Sequence, residues 1–287
     1  LQSDVMSLFI PCPDMRNEVK GSMHGHCWVP NPRAASSQFM EGFYFVGQMM
    51  GLALRTGVQL DLDLAPFVWK QLVGQQINWR DIGNVDRAFA ERVQLVHVKT
   101  RASAETNGTR AVDDDGVESS DRHLAAQGID MYMSIDSMDG SKLELFEGGD
   151  HVRVSEDQRE LFVQLAEKRR IGEISPALHA VRRGLVAQLP RCAQMLTLFT
   201  WKEFEEMVCG PKIVDVGMLR THTIYGKGYD RSHPVIKRFW KVFETLTNRQ
   251  RQLYVKFVWG QARLPSGRSD EEGKETWKHK HKINRMK

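Results

Sequence analysis

The second half of the chain, from Ser155 onward, is dominated by amphipathic helices, and this restricts the fold more than any other feature. Apolar residues there recur at three- and four-residue steps, the spacing that places them on one face of a helix. Three segments begin with a capping box, a Ser or Thr followed three residues later by a Gln or Glu. In this motif the side chain of each residue accepts a hydrogen bond from the backbone N–H of the other. These pairs are Ser155 with Gln158, Thr200 with Glu203 and Thr247 with Gln250. The prediction is a mostly helical α+β fold.

The first half mixes helices with strands. Apolar spacing predicts helices over residues 38–56, 65–74 and 79–96, and the shared face of Gly47 and Gly51 indicates close packing in the first of them. Residues 129–135 alternate apolar and polar side chains, which is typical of a half-buried strand. Residues 143–146 and 151–154 are the expected partner strands, with a turn at Asp139 and Gly140. Residues 97–128 have no hydrophobic period and are predicted to be a flexible insertion.

Two helices are predicted near the C-terminal end of the sequence. Their apolar stripes consist of Val235, Phe239, Val242 and Leu246 on one helix, and of Leu253, Phe257 and Val258 on the other. Residues 266–287 have no apolar period and an excess of basic side chains, which predicts a solvated tail. Before the two helices, Gly226 and Gly228 flank a lysine where one helical region ends and another begins. Taken alone, this pattern predicts a hinge or a tight turn.

Composition excludes several classes of protein. Of the 287 residues, 41% are hydrophobic, which suffices for a core and is too much for a disordered chain. No run of about 18 apolar residues occurs, so no membrane span is predicted. The formal net charge of +4 comes from 40 basic and 36 acidic residues, a mixed surface that does not predict nucleic-acid binding. Four scattered cysteines without paired spacing predict reduced thiols and a cytoplasmic location.

No metal ion or cofactor is predicted. Cys12, His24, His26 and Cys27 offer four zinc ligands, but their spacing matches none of the usual structural zinc patterns. The Gly226–Gly228 segment lacks the strand and the Ser or Thr of a phosphate-binding loop.

Several segments resemble HECT-type ubiquitin ligases, in the same order along the sequence. The earlier ones are residues 39–54, 60–74, 81–86 and 152–155. The later ones are residues 200–210 (TWKEFEEMVCG), 225–229 (YGKGY), 239–240 (FW) and 257–265 (FVWGQARLP). Their order and spacing make the resemblance specific over about residues 38–265, apart from the insertion. The last motif is most similar to HERC-type members of the family.

The resemblance implies a bilobal HECT domain whose N-lobe is complete and whose C-lobe is only begun. Residues 1–37 would form an irregular N-terminal segment of the N-lobe, and residues 38–223 its body. Residues 225–233 would form the hinge, with Gly226 and Gly228 as its flexible positions. Residues 234–265 would start the C-lobe, and residues 266–287 would be a basic, disordered tail. From about residue 232 onward the chain is expected to be poorly ordered or docked loosely on the N-lobe, with exposed apolar stripes on its last two helices.

The resemblance also implies a site for an E2 ubiquitin-conjugating enzyme. It maps to a small subdomain over about residues 93–154, which contains the insertion. Val93, Val96 and Met131 fall near the E2-contacting groove of the family. If these side chains are exposed they form a groove for a partner, and if they are buried they belong to the core; the sequence leaves both alternatives open.

The chemistry of the family is acyl transfer through a cysteine thioester. The cysteine takes ubiquitin from the E2 and passes it to a lysine of the protein substrate. In the family this cysteine follows the Leu-Pro pair, and no cysteine follows Pro265 here, so no catalytic residue is predicted in this chain. The expected function is that of a HECT-type E3 ligase fragment that ends before its nucleophile. The alternative is an inactive E2-binding or regulatory module.

Overall fold

The computed structural model describes residues 8–19, 27–106, 131–189, 193–226, 228–264, 268–269, 275–276 and 281–284. In these ranges helices dominate, and the strands pair only two by two. The predicted mostly helical α+β class is therefore confirmed.

The helices are short to medium in length. They are α1 (Pro13–Arg16), α2 (Ser37–Thr56), α3 (Pro66–Leu72), α4 (Trp79–Gly83), α5 (Arg87–Thr106), α6 (Arg159–Gly172), α7 (Ser175–Gln188), α8 (Trp201–Cys209), α9 (Val216–Thr221), α10 (Pro234–Thr245) and α11 (Asn248–Trp259). Two 3₁₀ turns cover Gly149–His151 and Ala193–Leu198.

Three of the strand pairs are antiparallel. β1 (Phe9–Pro11) pairs with β2 (Trp28–Pro30), β3 (Ser134–Asp136) with β4 (Lys142–Glu144), and β6 (Arg268–Ser269) with β7 (Glu275–Thr276). The fourth pair is parallel and joins β5 (Thr223–Gly226) to β8 (His281–Asn284). The β3–β4 turn contains Gly140, whose φ of 85° lies in the left-handed region that glycine favours, as predicted for the Asp139-Gly140 pair.

The first of two compact units comprises Leu1–Gly47 and Asp63–Gly184. Phe9 of β1 packs edge to face on Phe43 of α2, with 5.5 Å between ring centroids. Helix α5 packs against α6, and both contribute fully buried side chains, Val93 and Phe162 among them. Strand β3 adds buried Ile135 to this core. The predicted helix over residues 79–96 is divided in two, because Asp86 caps a new helix by accepting a hydrogen bond from the backbone N–H of Phe89.

The second compact unit comprises Gln48–Leu62 and Leu185–Lys287. Its core is a cluster of buried residues: Val214, Leu219, Ile236, Trp240, Phe243, Val255 and Leu264. On α2, a methyl group added at Gly51 would come within 2.5 Å of the Gln188 Cβ. The close packing predicted for this glycine is therefore confirmed.

The expectations for the last two helices are met in part. Helix α10 buries Ile236, Trp240 and Phe243, whereas Val235 and Val242 are exposed. Exposure of these valines matches the expected exposed stripe, but Phe239 and Leu246 of the same stripe pack against the buried cluster, so this helix is not poorly ordered as expected. Leu253 and Phe257 of α11 are exposed, the latter at 89%, as the stripe prediction anticipated for this helix.

Two further segments differ from the expectations for them. Helix α5 continues to Thr106, so the described part of the predicted insertion, residues 97–106, has helical backbone. Residues 281–284 lie within the predicted tail and form strand β8, because their backbone pairs with β5 and His281 becomes buried. The rest of the insertion, residues 107–128, and most of the tail lie outside the described residues.

Candidate functional site

The three predicted E2-contact positions lie in the first compact unit and differ in exposure. Val93 of α5 is 1% exposed and Val96 is 2% exposed, whereas Met131 is half-buried. Of the two alternatives left open by the sequence, the structure shows core packing for the two valines. Whether these positions contribute to an E2 site stays a prediction.

Accessible apolar side chains occur in the same compact unit. Leu161, at the start of α6, is 48% exposed, and Tyr132, next to Met131, is 42% exposed. Tyr132 also forms an isolated antiparallel bridge with Arg153. Since α6 packs against α5, Leu161 is displayed on a helix that is supported by the buried face of Val93. These side chains provide the exposed apolar surface that a protein partner needs.

A buried network of charged groups joins α5 and α6 to the β3–β4 turn. The Arg170 guanidinium of α6 donates to Asp86 Oδ2 at 2.6 Å and to Glu173 Oε1 at 3.1 Å, and lies 4.6 Å from the centroid of the Phe89 ring. Ser137 Oγ donates to Glu173 Oε2 at 2.5 Å. Burial raises the pKa of both Asp86 and Glu173, although Arg170 acts in the opposite direction. The β3–β4 turn is thereby joined to α6 and to the start of α5.

Sequence reasoning did not find this network, although one signal was present. Phe162, Ala166 and Arg170 are spaced four residues apart on α6 and all three are buried. An arginine in line with an apolar stripe needs buried carboxylate partners, since an unpaired buried charge is very costly.

The predicted hinge positions lie in the second compact unit, at the end of β5. Gly228 has a φ of 85°, in the left-handed region that glycine favours. An added Cβ would meet no atom within 4 Å, so the backbone conformation, and not crowding, is what favours glycine here. At Gly226 an added Cβ would come within 2.8 Å of Asn284 Oδ1, because β8 runs alongside. After the glycines, Asp230 Oδ1 accepts hydrogen bonds from the backbone N–H groups of Ser232 and His233. The geometry is that of an ordered turn; a hinge function stays a prediction.

Strand β8 is fixed beside this turn by one histidine. His281 is 2% exposed; its Nδ1 lies 2.8 Å from Thr223 Oγ1 and its Nε2 lies 2.8 Å from the Tyr254 hydroxyl. The rings of Trp240 and Trp259 face the imidazole edge-on, with centroids 6.3 and 5.9 Å away. Burial lowers the pKa of His281 to about 4, so the ring is neutral at pH 7.

None of the cysteines that the structure describes has the environment of a nucleophile. Cys209 is 2% exposed, and burial raises the pKa of its thiol to about 12. Cys12 directly follows β1 and Cys27 directly precedes β2, and both are thiols. They face each other at one end of the strand pair, where the Cys12 backbone N–H donates to the Cys27 carbonyl at 3.0 Å. A hydrogen bond from Cys27 lowers the pKa of Cys12 to about 7, yet Cys12 is 0% exposed and inaccessible to a protein thioester. Cys192 lies outside the described residues.

Among the described residues, no three His, Cys, Asp or Glu side chains are arranged so that they could hold a metal ion. His24 and His26, two of the four zinc ligands considered above, lie outside that part of the sequence. Within the same part, no helix is both long enough and apolar enough to cross a membrane.

Comparison with known proteins agrees with the fold and with the sequence motifs. A model of the HECT-domain (ubiquitin-transferase) family matches residues 3–283. The human E3 ubiquitin-protein ligase HERC2 is 30% identical over 275 residues, which is 96% of this chain and 5% of that protein. The E3 ubiquitin-protein ligase HACE1 of Danio rerio is 27% identical over 269 residues, which is 92% of this chain and 27% of that protein.

The chain therefore belongs to the HECT family of E3 ubiquitin-protein ligases. The similarity to HERC2 supports the HERC-type likeness of the FVWGQARLP segment. The family match is longer than the motifs indicated, since it extends from residue 3 to residue 283 rather than from about 38 to 265. It includes three of the four residues of β8, His281 to Ile283. The chain spans only a small share of the length of these relatives.

Proposed function

We propose that this chain is the E2-binding part of a HECT-type E3 ligase. In the complete protein, a cysteine would accept ubiquitin from the E2 and pass it to a lysine of the substrate. The observation that carries the proposal is the family match over residues 3–283. The cysteines that the structure describes support the assignment of the transfer step to a cysteine outside this chain, because Cys12, Cys27 and Cys209 are all buried.

The E2 would bind at accessible apolar side chains of the small subdomain and of α6, which packs against α5. We place Met131, Tyr132 and Leu161 in direct contact, with Val93 and Val96 as the packed layer that supports them. This arrangement keeps the predicted positions in the site and assigns the contact to side chains that a partner can reach. Apolar anchors surrounded by polar side chains are the usual centre of a protein interface.

A binding experiment with the 287-residue protein tests both parts of the proposal. A panel of ubiquitin-charged E2 enzymes is titrated against the protein, and the products are resolved with and without reducing agent. We expect at least one E2 to bind with a Kd tighter than about 1 mM, roughly −4 kcal/mol, and no reducible ubiquitin adduct on the 287-residue protein. Leu161→Glu should weaken binding at least about tenfold, because it places a charge at an apolar contact.

Val58→Glu is the matched control, since Val58 is 55% exposed and lies in the second compact unit. Equal losses in the two variants would remove Leu161 from the site, and binding by no E2 would remove the E2 assignment altogether. A reducible adduct that disappears when one of the four cysteines is replaced would show that this chain performs the transfer itself.

The second candidate is an E2-binding or regulatory module that acts without chemistry. Burial of the described cysteines favours it as strongly as it favours a ligase fragment. Sequencing the native transcript beyond the Pro265 codon separates the two. A reading frame that continues to a cysteine in a C-lobe supports the ligase, and a stop after Lys287 supports the module.

A further inference from the structure

A polar cavity of about 220 Å³ opens in the first compact unit, apart from the proposed E2 contacts. It lies between α1, the first turns of α5, the β3–β4 turn and the end of α6. Its charged lining consists of Arg16, Arg92, Arg170, Asp86 and Asp136. The cavity therefore combines three guanidinium groups with two carboxylates.

The two carboxylates already have cationic partners. Asp136 accepts from Arg92 at 3.2 Å, and Asp86 accepts from Arg170 at 2.6 Å. Two further acids lie behind the lining and are also bonded. Asp14 accepts from the backbone N–H of Arg87 at 2.8 Å, and Glu173 accepts from Arg170 and Ser137.

The groups at the cavity that still lack a partner are hydrogen-bond donors. Within the described ranges Arg16, which is exposed, forms no ion pair. The Nε–H of Arg170 is fully buried and has no hydrogen-bond partner there either. Since a buried N–H without a partner costs about 1–3 kcal/mol, it marks a place for an acceptor. One available cation and one orphan donor suit a ligand group with a single negative charge.

Two features of the lining restrict the ligand further. The neighbouring carboxylates repel a doubly charged phosphate more strongly than a singly charged carboxylate. Pro13, Ala88 and Phe89 provide apolar walls that fit the methylene groups of an organic acid. The cavity is also smaller than the roughly 300–1,000 Å³ of small-molecule sites, so it admits one side chain or one peptide terminus.

We propose that this cavity binds the carboxylate of a partner peptide, with Arg16 forming the ion pair and the buried Arg170 Nε–H donating a second hydrogen bond once a shift of the lining side chains exposes it. The carboxylate comes either from an acidic side chain or from the C-terminus of the peptide. Guanidinium–carboxylate pairs are among the strongest charge-assisted hydrogen bonds, which suits recognition of a single acidic group.

The test follows the Arg170 Nε–H resonance by NMR during titration of the isotope-labelled protein. N-acetyl-glutamate amide represents an acidic side chain and N-acetyl-glycine a C-terminus. N-acetyl-glutamine amide is the neutral isostere, and inorganic phosphate is the competing anion. We expect a saturable shift with at least one of the two carboxylates. Tighter binding of N-acetyl-glutamate amide would indicate an acidic side chain as the ligand, and tighter binding of N-acetyl-glycine would indicate a peptide C-terminus.

Two variants separate binding from folding. Arg16→Gln removes the exposed cation, and Ala88→Met fills the cavity from an exposed helix position without changing the charge. Both should weaken binding at least about tenfold, whereas Arg80→Gln, outside the lining, should bind like the parent. The proposal is overturned by any of four results: no saturable shift below about 10 mM of either carboxylate, equal affinity for the glutamine amide, tighter binding of phosphate, or no effect of either variant.

Discussion

His281 illustrates how a single residue organises a segment that carries little other signal. Thr223 Oγ1 donates to the carbonyl of Leu219 at 2.6 Å, so it can accept from His281 Nδ1–H. The imidazole Nε2 then accepts from the Tyr254 hydroxyl. The neutral ring satisfies both of its nitrogen atoms, and a second proton on Nε2 would face the Tyr254 hydroxyl, whose own pKa is raised by burial.

Protonation of His281 should therefore destabilise the protein in acid. Unfolded histidine binds a proton near pH 6.5, but the folded ring does so only near pH 4. The free energy of unfolding should fall as the pH drops from 6.5 to about 4, and this residue should cause no further loss below that. Between about pH 7 and about pH 5 the loss from His281 should be about 2 kcal/mol.

Urea unfolding at pH 7 and pH 5 checks this prediction, with His281→Phe as the control. The variant lacks the titrating ring but keeps a planar aromatic side chain in the cluster. Its free energy of unfolding should change less between the two pH values than that of the parent. Equal changes in both proteins would mean that other groups account for the acid sensitivity.

The starts of the helices show how far local sequence determines an element. The capping boxes predicted at Thr200 and Thr247 are both present, because each pair is self-contained within four residues. The predicted start at Ser155 was wrong, since α6 begins at Arg159, although one bond of the predicted box is present, from the Ser155 N–H to Gln158 Oε1 at 3.4 Å. Asp157 instead accepts a hydrogen bond from the Ser155 side chain, which lowers the pKa of Asp157 and stabilises a turn.

The capping box of α11 should contribute measurably to stability. Thr247 Oγ1 accepts from the Gln250 N–H at 3.3 Å, and Gln250 Oε1 accepts from the Thr247 N–H at 2.9 Å. Thr247→Ala removes the first of these bonds and should lower the free energy of unfolding by about 1 kcal/mol. Thr247→Ser keeps the hydroxyl and should remain within about 0.5 kcal/mol of the parent. Similar urea midpoints for the alanine and serine variants would refute a capping role.

At the scale of the whole molecule, the contacts between distant residues could not be predicted from the sequence. The helices and the β3–β4 hairpin follow from local periodicity, and the family follows from ordered motifs. By contrast, Arg170 and Asp86 are separated by 84 residues. Strands β5 and β8 pair although α10 and α11 lie between them in the sequence. The spacing of Arg170 on α6 indicates that it is buried, but nothing in the sequence near Arg170 or near β8 identifies the distant partner of either. The cavity at Arg16 depends on the first of these contacts and was missed for the same reason.

Arg263 joins three such distant segments in the second compact unit. Its guanidinium donates to the carbonyls of Gly210 and Leu62 at 2.9 and 3.3 Å, and to Glu205 Oε1 at 2.9 Å. Both charged side chains are nearly inaccessible, with 7% and 3% exposed. Lys212, which also contacts Glu205 at 3.0 Å, is 39% exposed. Arg263 is thus the main buried partner of the Glu205 carboxylate.

Arg263→Met should lower the free energy of unfolding by about 3 kcal/mol, because it leaves the buried Glu205 carboxylate with only one partly solvated partner. Adding Glu205→Met should recover part of this loss, since the remaining side chains are then apolar and no buried charge is left unpaired. Arg249→Met, at an exposed position of α11, is the control and should change stability by less than about 0.5 kcal/mol. Urea unfolding of the parent and the three variants at pH 7 measures the differences. A double variant less stable than Arg263→Met would show that the carbonyl contacts of Arg263, rather than relief of the buried charge, dominate its contribution.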